Sequence, residues 1–141
     1  MEKLINDFVE KINPKFICKY QKYEHEDGYV NGGFFKVYDE NDNEVTTFIL
    51  QQMSGCSGIC ISNKVAISDA YRGNGYGVLF CELREAIAVK LRYAVIMCTV
   101  VLGNHPQQKI MKKRGWEITG SFLNLKTGNQ VSIYMKKLNQ L

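Results

Sequence analysis

The sequence predicts a single α+β domain over residues 1–141, with a mixed, mostly antiparallel central sheet flanked by helices. Three observations lead there. Strand-like segments follow one another through the first half of the chain. A helical segment and a continuous apolar run, AVIMCTVVL at 94–102, then alternate in the second half. No repeat, low-complexity tract or linker separates the halves, and 141 residues at 45% hydrophobic composition are enough to bury a core.

The elements follow in order. Leu4, Ile5, Phe8, Val9 and Ile12 recur at helical spacing until Asn13-Pro14 stops them, which predicts an opening amphipathic helix. Phe16 to Tyr23 is rich in aromatic and branched residues, and Gly28 breaks it from a second strand, Tyr29 to Tyr38. The polar cluster at 39–43 reads as a turn, with Val45 to Gln51 returning antiparallel. A small-residue loop at 54–58 leads to a strand from Ile59 to Ile67. A helix is predicted over Gly75 to Leu91, with Leu79, Leu83, Ala86 and Ile87 on its inner side. The run from Ala94 to Leu102 reads as a central strand, and His105 to Arg114 as a short helix. Trp116 to Leu123 and Gln130 to Lys136 close the chain as two strands joined by a turn at 126–129.

Composition narrows the function. The net charge of +4 comes from Lys and Arg scattered along the chain, not gathered in a stripe, so nucleic acid is not the expected partner; an anionic ligand is compatible. Five cysteines, at 18, 56, 60, 81 and 98, form no C-x-x-C and have only His25 and His105 beside them, which argues against a disulfide framework and against a metal site. Reduced thiols point to the cytoplasm. The first segment alternates charged and apolar residues, unlike a signal sequence, and no apolar run approaches the roughly 20 residues of a membrane span. Asp39, Asn41 and Asn43 have the spacing of a calcium loop, but Glu44 stands where its glycine belongs and Leu50 where its glutamate belongs, so the cluster reads as a hairpin tip.

The segment that carries chemistry is VAISDAYRGNGYG at 65–77, where a predicted strand runs through Arg72-Gly73-Asn74-Gly75-Tyr76-Gly77 into a predicted helix. Gly75 and Gly77 allow a tight turn and a close backbone approach. The first amides of the helix have no internal partner and carry the positive end of its dipole. A pyrophosphate satisfies both, with the charge of Arg72 beside it. The glycine spacing fits neither a dinucleotide-binding fingerprint nor a Walker loop.

This pattern resembles the pyrophosphate loop of the GNAT (GCN5-related N-acetyltransferase) superfamily, Arg/Gln-x-x-Gly-x-Gly/Ala between a strand and a helix. A second landmark follows in order: the apolar strand at 94–102, then Asn104 opening a short helix that ends in Gly115-Trp116. The resemblance covers about residues 58–136 and implies a splayed strand pair forming a coenzyme A cleft. On that resemblance, backbone groups of Val65, Ala66 and Ile67 hold the pantetheine arm, with the amide near Ile67 polarising the thioester carbonyl. Arg72, Gly73, Asn74, Gly75, Tyr76 and Gly77 cradle the pyrophosphate. Asn104 contacts the cofactor, a role compatible with an ordinary helix N-cap.

The sequence departs from the family in its proton handling. The family's general-acid tyrosine, seven residues after the asparagine, is Met111, and the glutamate base on the strand before the loop is Asn63. Neither replacement exchanges a proton. Asn63 can still orient a water; Glu24, His25 and Glu26 read either as cleft residues or as a solvated turn; Cys98 reads as a buried thiol; Tyr71 and Tyr134 have no assigned role. The helix also precedes the strands, without the family's two helices after the first strand, which implies an open groove for a protein or other large acceptor. The resulting expectation is an N-acetyltransferase that moves acetyl from acetyl-CoA to an amine by direct attack in a ternary complex, with a homodimer through edge strands permitted. The alternatives are a coenzyme A-binding module without catalysis and a protein-interaction module.

Overall fold

The computed structural model describes residues 2–24 and 30–138. Helix α1 (Glu2–Ile12) comes first, followed by strands β1 (Ile17–Glu24), β2 (Val30–Tyr38), β3 (Glu44–Met53) and β4 (Cys56–Ile67). A single 3-10 turn, Asp69–Tyr71, leads into α2 (Tyr76–Lys90); β5 (Val95–Val101), α3 (His105–Lys113), β6 (Glu117–Asn124) and β7 (Asn129–Lys137) complete the chain. The seven strands form one mixed sheet in the order β1-β2-β3-β4-β5-β7-β6. Every neighbouring pair is antiparallel except β4 with β5.

That parallel pair is the consequence of chain order. The connection from β4 to β5 passes through α2, and a parallel neighbour requires such a crossover. The strands meet only at Ile59 with Val95, Cys60 with Ile96 and Ile61 with Met97. Beyond Ile61, β4 keeps β3 on one side while β5 keeps β7, so the middle of the sheet opens into a split.

Alternation along the strands sets the core. Cys18, Phe35, Phe48, Leu50, Cys60, Ile96, Cys98 and Val100 are buried in one cluster with Ile5 and Val9 of α1, Phe80 and Ile87 of α2, and Met111 of α3. The helices pack α1 on α2 and α2 on α3 over this face. Among the described residues no helix covers the other face, where Thr47, Gln51, Ile61, Asn63 and Met97 are half-buried.

Several expectations are adjusted. The loop predicted at 54–58 is a two-residue turn, Ser54-Gly55, with Gly55 at φ +80 and β4 starting at Cys56. Helix α2 buries Phe80, Cys81, Arg84, Glu85 and Ala88 besides Leu83 and Ile87, while Leu79 is exposed. The helix meets the sheet and two neighbouring helices, so its buried surface wraps beyond the single stripe read from the sequence. The helix-first order and the direct run from β1 to β2 stand, because only the five residues 25–29 separate those strands. His25, Glu26 and the break at Gly28 lie outside the described residues. The calcium-like spacing is a hairpin tip: one Asp39 carboxylate oxygen accepts the amides of Asn41 at 2.9 Å and Asn43 at 3.0 Å.

Candidate active site

The split opens because β4 carries an extra residue. Opposite β3, Ala66 pairs with Thr47 and Asn63 with Ile49, which leaves Lys64 and Val65 against Phe48 alone. Lys64 takes φ +50, the left-handed conformation of a bulge. A bulge bends its strand and sharpens the local twist. Here it turns residues 65–67 away from β5, just beyond the last shared pair. Thr46 then holds the displaced segment to β3, its hydroxyl donating to the Ala66 carbonyl at 2.7 Å.

At the mouth of the split the chain makes the turn that the glycines permit. Gly73 and Gly75 have φ +80 and +79, and Gly75 is the residue capping α2. Gly77 differs from its expected role in the turn: it lies inside the helix, where an added Cβ would come 2.5 Å from Cδ1 of Ile110. Its missing side chain is therefore what lets α3 close on α2. The amides of Tyr76, Gly77 and Val78 open the helix and have no carbonyl within it to bond. Arg72 is exposed, and its Nε donates to the Ile67 carbonyl at 2.9 Å while its Nη1 pairs with Asp69 at 2.8 Å. The guanidinium thus stands between the end of β4 and the glycine turn.

These elements enclose a cleft of about 700 Å³. Val65, Ala66 and Ile67 form its strand wall. Arg72, Gly73, Gly75 and Gly77 form the rim, and Asn104 faces them from the start of α3. Asn104 is also the N-cap, its side-chain oxygen accepting the Gln107 amide at 3.3 Å. Of the residues expected here, Asn74 and Tyr76 do not line the cleft. Tyr76 turns its ring inward, 5.5 Å from Phe16, 5.8 Å from Tyr71 and 5.9 Å from Phe80 between centroids. That aromatic cluster supports the turn from below. Gln107 and Lys109 of α3 line the cleft as well, and the sequence motif gave no sign of them.

The groups considered for proton exchange are buried or already hydrogen-bonded. Met111 is fully buried, 3.6 Å from the thiol of Cys98, and serves packing. Asn63 stands on the helix-free face, its amide reaching Gln51 Oε1 at 3.4 Å. Tyr71 lines the cleft, but its hydroxyl donates to Asp39 at 2.6 Å, and this hydrogen bond raises its pKa to about 12. Tyr134 lies beyond α3, in a separate recess with His105 and Trp116. Cys98 is buried, and desolvation pushes its thiol up to about 11.

Comparison with known proteins bears on the fold. No protein-family profile matches the chain, and no curated protein matches its sequence. Solved structures do match. A GNAT family acetyltransferase from Elizabethkingia anophelis with acetyl-CoA bound superposes with a TM-score of 0.72 at 10% identity, covering 88% of this chain and 99% of that one. Nourseothricin acetyltransferase gives 0.67 at 12% identity over 89% and 88% of the two chains. A GNAT family acetyltransferase from Streptococcus pneumoniae gives 0.66 at 19% identity over 77% and 68%. The chain therefore has the fold of the GNAT acetyltransferases.

Proposed function

We propose that the chain is one acyltransferase domain that binds acetyl-CoA in the split between β4 and β5 and transfers the acetyl group to an amine. The observation that carries this reading is the coincidence of three features: a parallel pair that parts after three residues, a bulge that keeps it open, and a helix N-terminus behind two left-handed glycines at its mouth. The free amides of α2 and the guanidinium of Arg72 suit a pyrophosphate. Residues 65–67, released from β5, offer backbone groups to an extended amide-bearing arm, much as an additional strand would. The amide near Ile67 is the candidate donor to the thioester oxygen as charge develops there.

The acceptor amine, on this reading, approaches from the helix-free face, where Asn63 and Gln51 can order a water that removes its proton. An amine arriving neutral needs position more than a strong base. The absence of a covering helix on that face among the described residues favours a large acceptor, and reduced buried thiols fit a cytoplasmic protein. A second reading, a coenzyme A-binding module without transfer, is favoured by the burial of Met111 in the general-acid position.

The deciding experiment is the thermal midpoint with acetyl-CoA, for the wild type beside Arg72→Ala. Ligand at about 100 times its Kd adds roughly 2.7 kcal/mol, a rise of several degrees for a domain of this size. A rise that Arg72→Ala loses supports the site, and thiol release with amine acceptors then separates enzyme from binding module. No rise in the folded wild type would overturn both readings.

A further inference from the structure

Two buried polar atoms, one on β4 and one on α2, lack a hydrogen-bond partner among the described residues. Ser62 on β4 is 3% exposed and Arg84 on α2 is 2% exposed; among the described residues the Ser62 hydroxyl and the Arg84 Nε–H have no hydrogen-bond partner. Among the described residues no carboxylate pairs with Arg84; its neighbour Glu85 is taken by Arg114 and Lys136. A buried guanidinium without a counter-ion is costly, so its position matters.

Its height in the fold follows from simple geometry. Arg84 is nine residues beyond Gly75, about 13 Å down the helix. Four residues back along β4 from Ile67, again about 13 Å, is Asn63. The guanidinium carbon lies 5.9 Å from the ring of Phe48 on β3, and its charge bears on the thiol of Cys98 on β5. Strand β4 runs between those two strands, so the cation sits beneath it. Cys98 follows Met97, the last β5 residue paired with β4, and Ser62 follows Met97's partner Ile61. Ser62 and Cys98 therefore stand at neighbouring positions where the strands part, with Arg84 of α2 beneath that part of the sheet.

We infer that Arg84 and Ser62 form an anion site that takes the negative charge developing on the coenzyme A sulfur. This rests on the proposed acetyl-CoA cleft and answers what Met111 leaves open. The amine nitrogen forms a bond to the thioester carbon, and the C–S bond breaks with its electron pair going to sulfur. The proton lost by nitrogen passes to solvent. The products are the amide, the thiolate and one proton. With Met111 in place of an acid, a fixed cation and a hydroxyl donor stabilise the sulfur as the thiolate.

The test is coenzyme A affinity against pH, beside desulfo-coenzyme A, which lacks the sulfur. An alkyl thiol ordinarily titrates at about 8.5 or above, and each unit of depression in the complex is a tenfold gain for the thiolate. Between about pH 6 and 9, coenzyme A should tighten at least tenfold relative to desulfo-coenzyme A. The protein's other groups at this place do not intervene: burial lifts Cys60 of β4 and Cys81 of α2 to about 12 and Cys98 to about 11, and Glu85 stays ionised below that range. Arg84→Met should abolish the gain, and Ser62→Ala should reduce it, which provides a second variant should the first not fold. Transfer by Arg84→Met should fall about a hundredfold. Parallel curves for the two ligands in the wild type, or a gain that survives Arg84→Met, would overturn the anion site while leaving the cleft intact. Failure of both ligands to bind would instead remove the cleft, and the anion site with it.

Discussion

Glu85 and Arg114 form a two-point ion pair across the core. Arg114 Nε lies 3.1 Å from one carboxylate oxygen of Glu85 and Nη2 lies 2.9 Å from the other. Trp116 Nε1 adds a third donor at 3.1 Å and Lys136 Nζ a fourth at 2.6 Å. The carboxylate ties the middle of α2 to the end of α3, to the start of β6 and to β7. The Gly-Trp that closes α3 is thus explained structurally: Gly115 at φ +79 turns the chain so that residues on both sides of it reach Glu85. Removing the carboxylate leaves these four donors, on Arg114, Trp116 and Lys136, without that acceptor. Glu85→Ala should cost about 3 kcal/mol, the lower end for breaking a buried pair, because the Arg114 and Lys136 side chains keep 27% and 24% exposure and water can reach them. Thermal denaturation should show a midpoint about 6–12 °C lower. A change under 2 °C would mean that the pair contributes little beyond what water replaces.

The same cluster sets an acid limit. Burial alone would raise the Glu85 pKa, but the hydrogen bonds from Arg114, Lys136 and Trp116 outweigh it and hold the carboxyl below the ordinary glutamate value. A folded-state pKa below the unfolded one contributes stability that is present above the unfolded value and lost as pH falls through the folded one. Urea unfolding should therefore show wild type and Glu85→Gln furthest apart above about pH 5, converging as pH falls below about 4. A constant difference across that range would detach the acid limit from Glu85. Asp39, lowered by its bonds from Tyr71 and Asn43, shifts in the same direction.

The order of elements was legible in the sequence because strand alternation, the apolar run at 94–102 and the helix breakers are local signals. The glycine turn was legible for the same reason, since φ near +80 at Gly73 and Gly75 favours that residue type. The bulge was not, because Lys64 is no turn-former and takes φ +50 only through the pairing of β3 with Asn63 and Ala66 on either side of the bulge. Arg84 and Glu85 were hidden for another reason. Charged residues in mid-helix read as the solvated side, and only the packing of α2 under the sheet buries them. Gly77 was assigned to the turn, yet its reason is the contact with Ile110, which no local spacing reveals.

The turn itself can be tested apart from any ligand. Gly75→Ala places a Cβ in the left-handed region, which should cost about 1 kcal/mol although the space around it is open. Gly75→Asn, a residue that tolerates that region, should recover most of the loss. Chemical denaturation of the three proteins measures both. Equal stability for Gly75→Ala and the wild type would mean that the turn rearranges at no cost.

A tyrosine at position 111 should not supply an acid. Met111 has no exposed surface, with Cys98 at 3.6 Å and the rest of the core around it. A tyrosine is larger, and overpacking a closed core typically costs about 1–3 kcal/mol. Its hydroxyl would also need a partner in that core, and an unpartnered buried hydroxyl adds to the cost. Met111→Tyr should therefore be less stable than the wild type and gain nothing in acetyl transfer at any pH. A variant that folds as well as the wild type and shows a new basic limb in its pH–rate profile would show instead that position 111 opens onto the sulfur, and the case for Arg84 as its stabiliser would lose its motive.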